Sequence, residues 1–397
     1  RIFTHYDADG LCSGAILSKA LYRQKIPYHL TIKKQLDRQN IQEIAMSIEK
    51  SNNFAIFSDF GSGQCQEIEN NIKKGQYIIL DHHLPQKIAN KEMKKELNIL
   101  RESHFPYHIN PYFFEIDGSK EISAAGICYI FSKIMNPTNI DLSPMAIVAA
   151  TGDVQNQGTN RTFVGLNSDI LIESLKQKKI EVKADLNFSS FKPLNQAIAY
   201  SNEIQLPGLS QREDVSLKFL QKTGVLVENV NGEIKTLNDF SWDEKGIISS
   251  AIIKYAVDSC GLDPAEITEK LIINKYLLLD EINYPELSET SEFSRLLNSC
   301  GRTGNASLGI AIAMGDRDKS IEKVREILKN YKSKLSKSIE WLFSEKKLKS
   351  MDYIHYFYGE DVIPEEIIGT ICSMLLNSQL IDRTKPILGY ADKIGED

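Results

Sequence analysis

The sequence predicts an α/β protein built on a doubly wound parallel sheet. Two observations predict it. Apolar runs of strand length each end in aspartate or histidine, and stretches with helical spacing alternate with them. Such a sheet gathers its strand ends along one edge, where ligands bind.

The elements follow in order. A β-prone run, Ile2 to Thr4, leads into His5, Asp7, Asp9 and Gly10. Helical spacing covers 11–23 and then 41–50. "FAIFSDFGSG" is a second apolar run, ending in Asp59 and a glycine turn. Helical spacing resumes over 65–74, and "QYIILDHHLP" is the third run. Its four strand residues lead straight into Asp81, His82 and His83, and a proline then stops the segment. After a helical stretch at 122–135, "AIVAATGDVQNQG" reads as a fourth strand, ending in Asp153. One polar residue at a strand end is simply solvated. Matching clusters at four strand ends predict a common site of His5, Asp7, Asp9, Asp59, His82, His83 and Asp153.

Four aspartates packed in a low-dielectric cleft repel one another, and without a cation some must bind protons. Two divalent ions about 3.5–4 Å apart, sharing a bridging carboxylate, remove that repulsion. Mixed carboxylate and imidazole ligation favours Mn²⁺ or a similar first-row ion, with Mg²⁺ the alternative. The lack of a thiolate in the set argues against structural zinc. An ion pair of this kind hydrolyses phosphoesters by in-line displacement. The second histidine need not be a ligand, because it can donate to the phosphoryl oxygens or the leaving group.

"HYDADG", "SDFG", "LDHH" and "TGDV", in this order and spacing, resemble the four motifs of the DHH phosphoesterase superfamily. The resemblance is tight over 1–160 and loose in the middle of the chain. The superfamily includes RecJ-type single-strand exonucleases, oligoribonucleases, cyclic-dinucleotide phosphodiesterases, manganese pyrophosphatases and Cdc45-like replication proteins. The resemblance implies that Asp7 and Asp9 are the Asp-x-Asp ligands and Asp59 the bridging carboxylate. It makes His82 a ligand, His83 a phosphate contact and Asp153 the ligand of the fourth motif. His5 matches the histidine of the RecJ-type His-x-Asp-x-Asp form. Asp81 is expected to orient the neighbouring imidazoles.

A chain of 397 residues is long for one ordinary core, so more than one domain is expected. The reading places a DHH catalytic domain at 1–165, an inserted, partly helical region at 166–270 and a DHHA1-like substrate-binding domain at 271–397. In the middle region, "FSSFKP" reads as a loop, a short helix ends at Gly224 and a longer one stops at Gly261. In the last, a helix at 319–347, a strand at 351–358, a helix at 364–377 and a strand at 385–391 would form a small mixed sheet. "CGRTGNASLGIAIAMGD" reads as a glycine-rich turn before an apolar strand. It resembles the Gly-Arg segment of archaeal RecJ-like proteins, which implies phosphate contacts from Arg302, Gly304, Asn305 and Ser307 across an interdomain cleft. The Gly-Gly-His motif usual late in RecJ-type proteins is absent, so either the chain is truncated after "YADKIGED" or this branch lacks it. The start at Arg1, almost inside the first strand, predicts a trimmed or disordered N-terminus.

Composition sets outer bounds. The six cysteines, at 12, 65, 128, 260, 300 and 372, form no CxxC pair, which fits a reducing cytoplasm. No run is apolar enough to span a membrane and no signal peptide is evident, so no membrane partner is expected. A net charge of −6 argues against a broadly basic nucleic-acid coat, though not against a local groove. Lysines cluster in "KEMKKELNILR" and in the amphipathic stretch 318–341, the latter expected as a solvated face. The expected function is a metal-dependent exonuclease acting on single-stranded DNA or RNA. A Cdc45-like replisome scaffold bound to GINS, and a small-substrate phosphodiesterase or pyrophosphatase, are the alternatives. The sequence leaves DNA against RNA, and the polarity of digestion, open.

Overall fold

Five short strands carry the site. They are β1 (Ile2–His5), β2 (Leu30–Lys33), β3 (Ala55–Ser58), β4 (Tyr77–Leu80) and β5 (His108–Ile109). The computed structural model describes residues 1–85, 97, 99, 101–102, 106–201, 203–377 and 381–392. The strands are all parallel, in the order β2-β1-β3-β4-β5. Strand order therefore reverses between β1 and β3, and that reversal opens a crevice at the carboxyl ends of those two strands.

Alternation along the strands gives the sheet two apolar faces. Phe3, Phe57, Tyr77 and Ile79 point into one core, and Ile2, Ile56 and Leu80 into another. The first core is closed by α2 (Arg38–Ser51) and α3 (Cys65–Asn71), through Ile41, Ile44, Ile48 and Ile68. Asp37 caps α2 by accepting from the amide of Asn40 at 2.7 Å, and Asn52 ends it in the left-handed conformation. The second core is closed by α1 (Ala8–Arg23), α4 (Ala124–Met135) and α5 (Ser143–Gly152). A sheet buried on both faces needs apolar residues at consecutive positions, which is why β1, β3 and β4 read as continuous apolar runs.

The fourth apolar run is a correction. "AIVAATGDV" is not a strand but the body of α5, with Asp153 in the C-cap position. Ala146, Ile147, Val148, Ala149 and Ala150 are all buried, so no polar face breaks the pattern into a helical period. The alanines and Pro144 in the first turn favour the helix. The weakly patterned edge strands β2 and β5, and the helix α6 (Gly165–Lys176), lay outside the sequence reading.

The glycine-rich C-terminal segment is a second correction. It forms two helices, α7 (Thr290–Arg302) and α8 (Ala306–Ala313), joined by a turn with Gly304 at φ +72°. No strand follows. Small residues let these helices approach α1 and α5 closely. A Cβ on Gly309 would lie 2.8 Å from Leu11, and one on Gly152 would lie 2.8 Å from Ala8. A Cβ on Gly301 would collide with the carbonyl oxygen of Tyr6.

Two compact units emerge, Arg1–Val182 with Tyr276–Tyr331, and Lys183–Lys275 with Lys332–Asp397. This division differs from the expected boundaries at 165 and 270. Residues 276–331 return to the first unit because α7 and α8 complete its core. The second unit has its own core around Leu194, Leu220, Leu237, Ile248, Ile252 and Leu271. Its helix Trp242–Cys260 starts at a capping box of Ser241 and Glu244 and stops at Gly261, as expected. The small mixed sheet is present: Ile387–Tyr390 pairs parallel with His355–Tyr358, and Lys349–Ser350 pairs antiparallel with it. The amphipathic stretch is the helix Lys319–Ser344, with Ile321, Val324 and Leu335 buried and Lys323, Lys329 and Lys337 exposed. The basic cluster "KEMKKELNILR" and the end of "YADKIGED" lie largely outside the described residues. Among the described residues, no helix is long and apolar enough to cross a membrane.

The approach of α7 to the first strand's loop is testable. Alanine in place of a helical glycine ordinarily stabilises by roughly 0.5–1 kcal/mol. At Gly301 the collision with Tyr6 reverses that sign. Gly301→Ala should lower stability by about 1–3 kcal/mol, read as a lower midpoint in denaturant. A midpoint equal to or above that of the parent would refute the packing.

Candidate metal centre

Backbone amides hold Asp7, Asp9 and Asp81 at the crevice. Asp7 is the N-cap of α1, its Oδ1 accepting from the amide of Gly10 at 3.0 Å. Gly10 is required here, because a Cβ would strike the carbonyl of His5. Asp9, in the first turn of α1, is 2% exposed, and its oxygens accept from the amides of Ala124 and Ala125, both at 2.8 Å. The positive end of α4 is thus aimed at a buried carboxylate. Asp59 follows β3 at φ +63°, a left-handed conformation uncommon outside glycine and asparagine. Asp81 follows β4 and is fully buried. Its Oδ2 accepts from the amide of Ser62 at 2.8 Å, and its Oδ1 accepts from Nδ1 of His83 at 2.8 Å.

The histidines are oriented by their second nitrogens. His82 Nδ1 lies 2.7 Å from the carbonyl of Gly118, which only accepts, so Nδ1 carries the proton. Its Nε2 then faces Asp59, Asp9 and Asp153 at 3.5, 3.6 and 3.7 Å. His5 Nδ1 lies 3.0 Å from Asp7 and 3.5 Å from Asp59. His83 turns its Nε2 away from Asp81, and its side chain is 55% exposed.

Asp59 stands between two donor groups. Its Oδ2 faces His5 and its Oδ1 faces His82. Donor atoms of His5, Asp7 and Asp59 lie within 4.8 Å of one another, and so do those of Asp9, His82 and Asp153. His5 Nδ1, Asp59 Oδ2 and His82 Nε2 are buried without a hydrogen-bond partner. Buried polar atoms are rarely left unsatisfied. Three orphans among carboxylates fit a bound cation.

The protonation pattern agrees. Burial, then the charge of Asp59, pushes Asp9 well above the ordinary carboxylate range. Burial and Asp7 raise Asp59. Burial opposes charge on His5, but Asp59 and Asp7 outweigh it and push the ring up to about 11. His82, whose burial also opposes charge, is raised by Asp59, Asp9 and Asp153. Without a cation the cluster holds protons, and a metal ion must displace them.

The seven residues expected at the common site therefore lie together, with Asp81 beside them. Arg302, Gly304, Asn305 and Ser307 do not join that cluster. They lie at the junction of α7 and α8, in the same unit as the cluster rather than across a cleft. Gly301, not Gly304, makes the close contact, against Tyr6. Arg302 is half-buried, and its side chain makes no polar contact among the described residues. Asn305 donates to the carbonyl of Thr303 at 2.8 Å, a turn-stabilising bond.

Sequence reasoning missed the residues that brace the clustered side chains. Gln155 donates to Asp153 at 2.7 Å and to the Gly118 carbonyl at 2.9 Å, and accepts from Asn167 at 2.7 Å. Asn110 donates to the carbonyl of His83 and to Ser62, at 2.9 and 2.8 Å. A Cβ on Gly118 would collide with the carbonyl of His82. Only Gln155 had a signal, its place inside "TGDVQNQG". Beside these residues lies a pocket of about 240 Å³ lined by His82, His83, Leu84, Tyr112, Ser119 and Asp153.

Comparison with known proteins gives a consistent family. The DHH family, N-terminal domain, matches residues 1–151, and the DHH-CID domain matches 189–272. An uncharacterized protein of Methanocaldococcus jannaschii is 33% identical over 392 residues, covering 98% of this chain and 78% of that protein. Among solved structures, exonuclease RecJ bound to manganese matches with a TM-score of 0.53 at 13% identity, over 98% of this chain and 75% of that one. CDC45 from Entamoeba histolytica matches with a TM-score of 0.66 at 10% identity, over 99% and 81%. At these identities the two structures establish a shared fold.

Two measurements test the electrostatics. Mn²⁺ should raise the melting temperature in a concentration-dependent way, as for any ligand of the folded state. The raised Asp59 carboxyl means that the metal-free folded state binds more protons than the unfolded chain, so this group lowers stability as pH rises from the carboxylate range. Asp59→Asn, which the left-handed backbone accepts, should stabilise the metal-free protein at neutral pH and abolish the Mn²⁺ effect. A metal-free variant less stable than the parent would count against the repulsion.

Proposed function

The chain belongs to the DHH family, and we propose that it is a metal-dependent phosphodiesterase, a RecJ-like exonuclease that releases nucleotides from single-stranded DNA or RNA. One observation carries the reading: the two oxygens of Asp59 face two separate donor groups, the arrangement of a carboxylate shared by a pair of ions. His5 and Asp7 would hold one ion, and Asp9, His82 and Asp153 the other. The oxygen-rich set with imidazole suits Mn²⁺, with Mg²⁺ second. Such ions supply a nucleophile at neutral pH and stabilise charge in an in-line displacement.

The chain's own residues do the rest. His82, fixed through Nδ1 by Gly118, presents Nε2 as a ligand. Asp81 orients His83 and, through its hydrogen bond and charge, raises the imidazole above its ordinary value. In its protonated form, which that interaction favours, His83 would present Nε2–H to a phosphoryl oxygen or to the leaving group. Arg302, with Gly304, Asn305 and Ser307 around it, would contact a neighbouring phosphate from its position beside the Tyr6 loop. The six cysteines form no disulfide among the described residues, as a reducing cytoplasm would leave them.

A Cdc45-like scaffold bound to GINS is the second reading, favoured by the fold likeness to CDC45. An intact set of mutually repelling carboxylates weighs against a scaffold alone, because it costs stability that only a bound cation restores.

End-labelled single-stranded DNA and RNA, incubated with Mn²⁺, should be shortened stepwise. His83→Ala should lower turnover by about 10²-fold, the loss typical of one transition-state donor, with metal content by elemental analysis unchanged. Loss of a bound ion in that variant would make His83 a ligand instead. Arg302→Ala should raise KM on oligonucleotides and flatten the log–log salt dependence by roughly one unit. Equal loss on an oligonucleotide and on bis(nitrophenyl) phosphate would mark Arg302 as a structural residue.

A further inference from the structure

We propose that Tyr112, with Leu84 and Ser119, forms a subsite that stacks one nucleobase beside the metal centre, so that the pocket accepts a nucleoside monophosphate unit. The inference rests on the phosphodiesterase reading and extends it from the phosphate to the base.

The pocket of about 240 Å³ has two kinds of wall. His82, Asp153 and His83 form the side where a phosphate would be handled. Leu84, Tyr112 and Ser119 form the rest. Leu84 is 49% exposed and Tyr112 is half-buried, so apolar and aromatic surface opens onto a crevice that is otherwise ionic. The volume lies below the roughly 300–1,000 Å³ of pockets for drug-sized ligands, so it admits at most one nucleotide unit at a time.

The tyrosine is held in advance. Its amide donates to Asn110 Oδ1 at 3.0 Å, and its hydroxyl donates to Asp117 at 3.2 Å. Pro111 opens the short 3₁₀ turn that carries it. Asn110 also donates to the carbonyl of His83 at 2.9 Å, so one side chain ties the ring's backbone to that of the phosphate-side histidine. A ring fixed at both ends loses little freedom on binding, which favours stacking. Every base has a π-face, so such a platform tolerates any sequence, as an exonuclease requires.

The competing role is a brace. A Cβ on Gly118, whose carbonyl holds His82, would lie 3.0 Å from the Tyr112 ring. The ring therefore also packs where it supports a ligand, and the test must separate the two roles.

Calorimetry in saturating Mn²⁺ would compare adenosine 5′-monophosphate with methyl phosphate. The parent should prefer the nucleotide by about 5- to 100-fold, the span of base–aromatic stacking. Tyr112→Ala should bring that ratio near one, while Tyr112→Phe, which keeps the ring, should retain it. A ratio near one in the parent, or a ratio that survives Tyr112→Ala, overturns the subsite. So does loss of Mn²⁺ binding in Tyr112→Ala, which would make the ring a brace. If neither anion binds in a Mn²⁺-dependent way, the phosphodiesterase reading fails and takes the subsite with it.

Discussion

Mutual repulsion among Asp7, Asp9, Asp59 and Asp153 is the constraint on which the rest of this structure depends. Four carboxylates at the end of a buried sheet are unfavourable unless opposing charge is supplied. The chain supplies part of it without any ion. The amino end of α4 is aimed at Asp9, the first turn of α1 receives Asp7, and the amide of Ser62 reaches Asp81. His5 and His82 supply the rest while they carry protons. Each device leaves some carboxylate oxygen or ring nitrogen facing the same space. The cluster is therefore tolerable when metal-free and suited to hold cations.

The sheet topology explains why these groups meet. Strand order reverses between β1 and β3, so the loops after those strands diverge and leave a crevice. His5 and Asp7 come from one lip and Asp59 from the other, with Asp81, His82 and His83 beside it from β4. Asp153 arrives from the end of a buried helix rather than from a strand. A C-cap position at the sheet edge serves as well as a strand end, because both leave a side chain pointing into the crevice.

Close packing of small residues holds the loops in place. Gly301 against Tyr6, Gly152 against Ala8 and Gly309 against Leu11 let three helices settle on the segment that carries His5, Asp7 and Asp9. Asn298 adds a hydrogen bond to the amide of Ala8 at 2.9 Å. The glycines of "CGRTGNASLG" suggest an anion-binding turn when read alone. In the fold Gly301 and Gly309 serve helix contact and Gly304 serves the turn between them, since a missing side chain looks the same in sequence whether backbone or ligand fills the space.

The sequence by itself determined the sheet class, the placement of α1 and α2 and the strand-end cluster. Apolar runs, helical spacing and capping residues are local signals, and acidic residues after apolar strands have few other uses. It also determined the helix stop at Gly261 and the late mixed sheet, through the same local punctuation. Tertiary structure alone decided that 146–150 is helical, because a run buried on every side carries no period to distinguish helix from strand. It decided that 276–331 completes the first core, a matter of which distant apolar faces meet. It alone revealed Gly118 and Asn110, whose bonds reach residues tens of positions away. Which side chains gather is a property of residue type and local position, whereas their orientation is a property of contacts that only the folded chain makes.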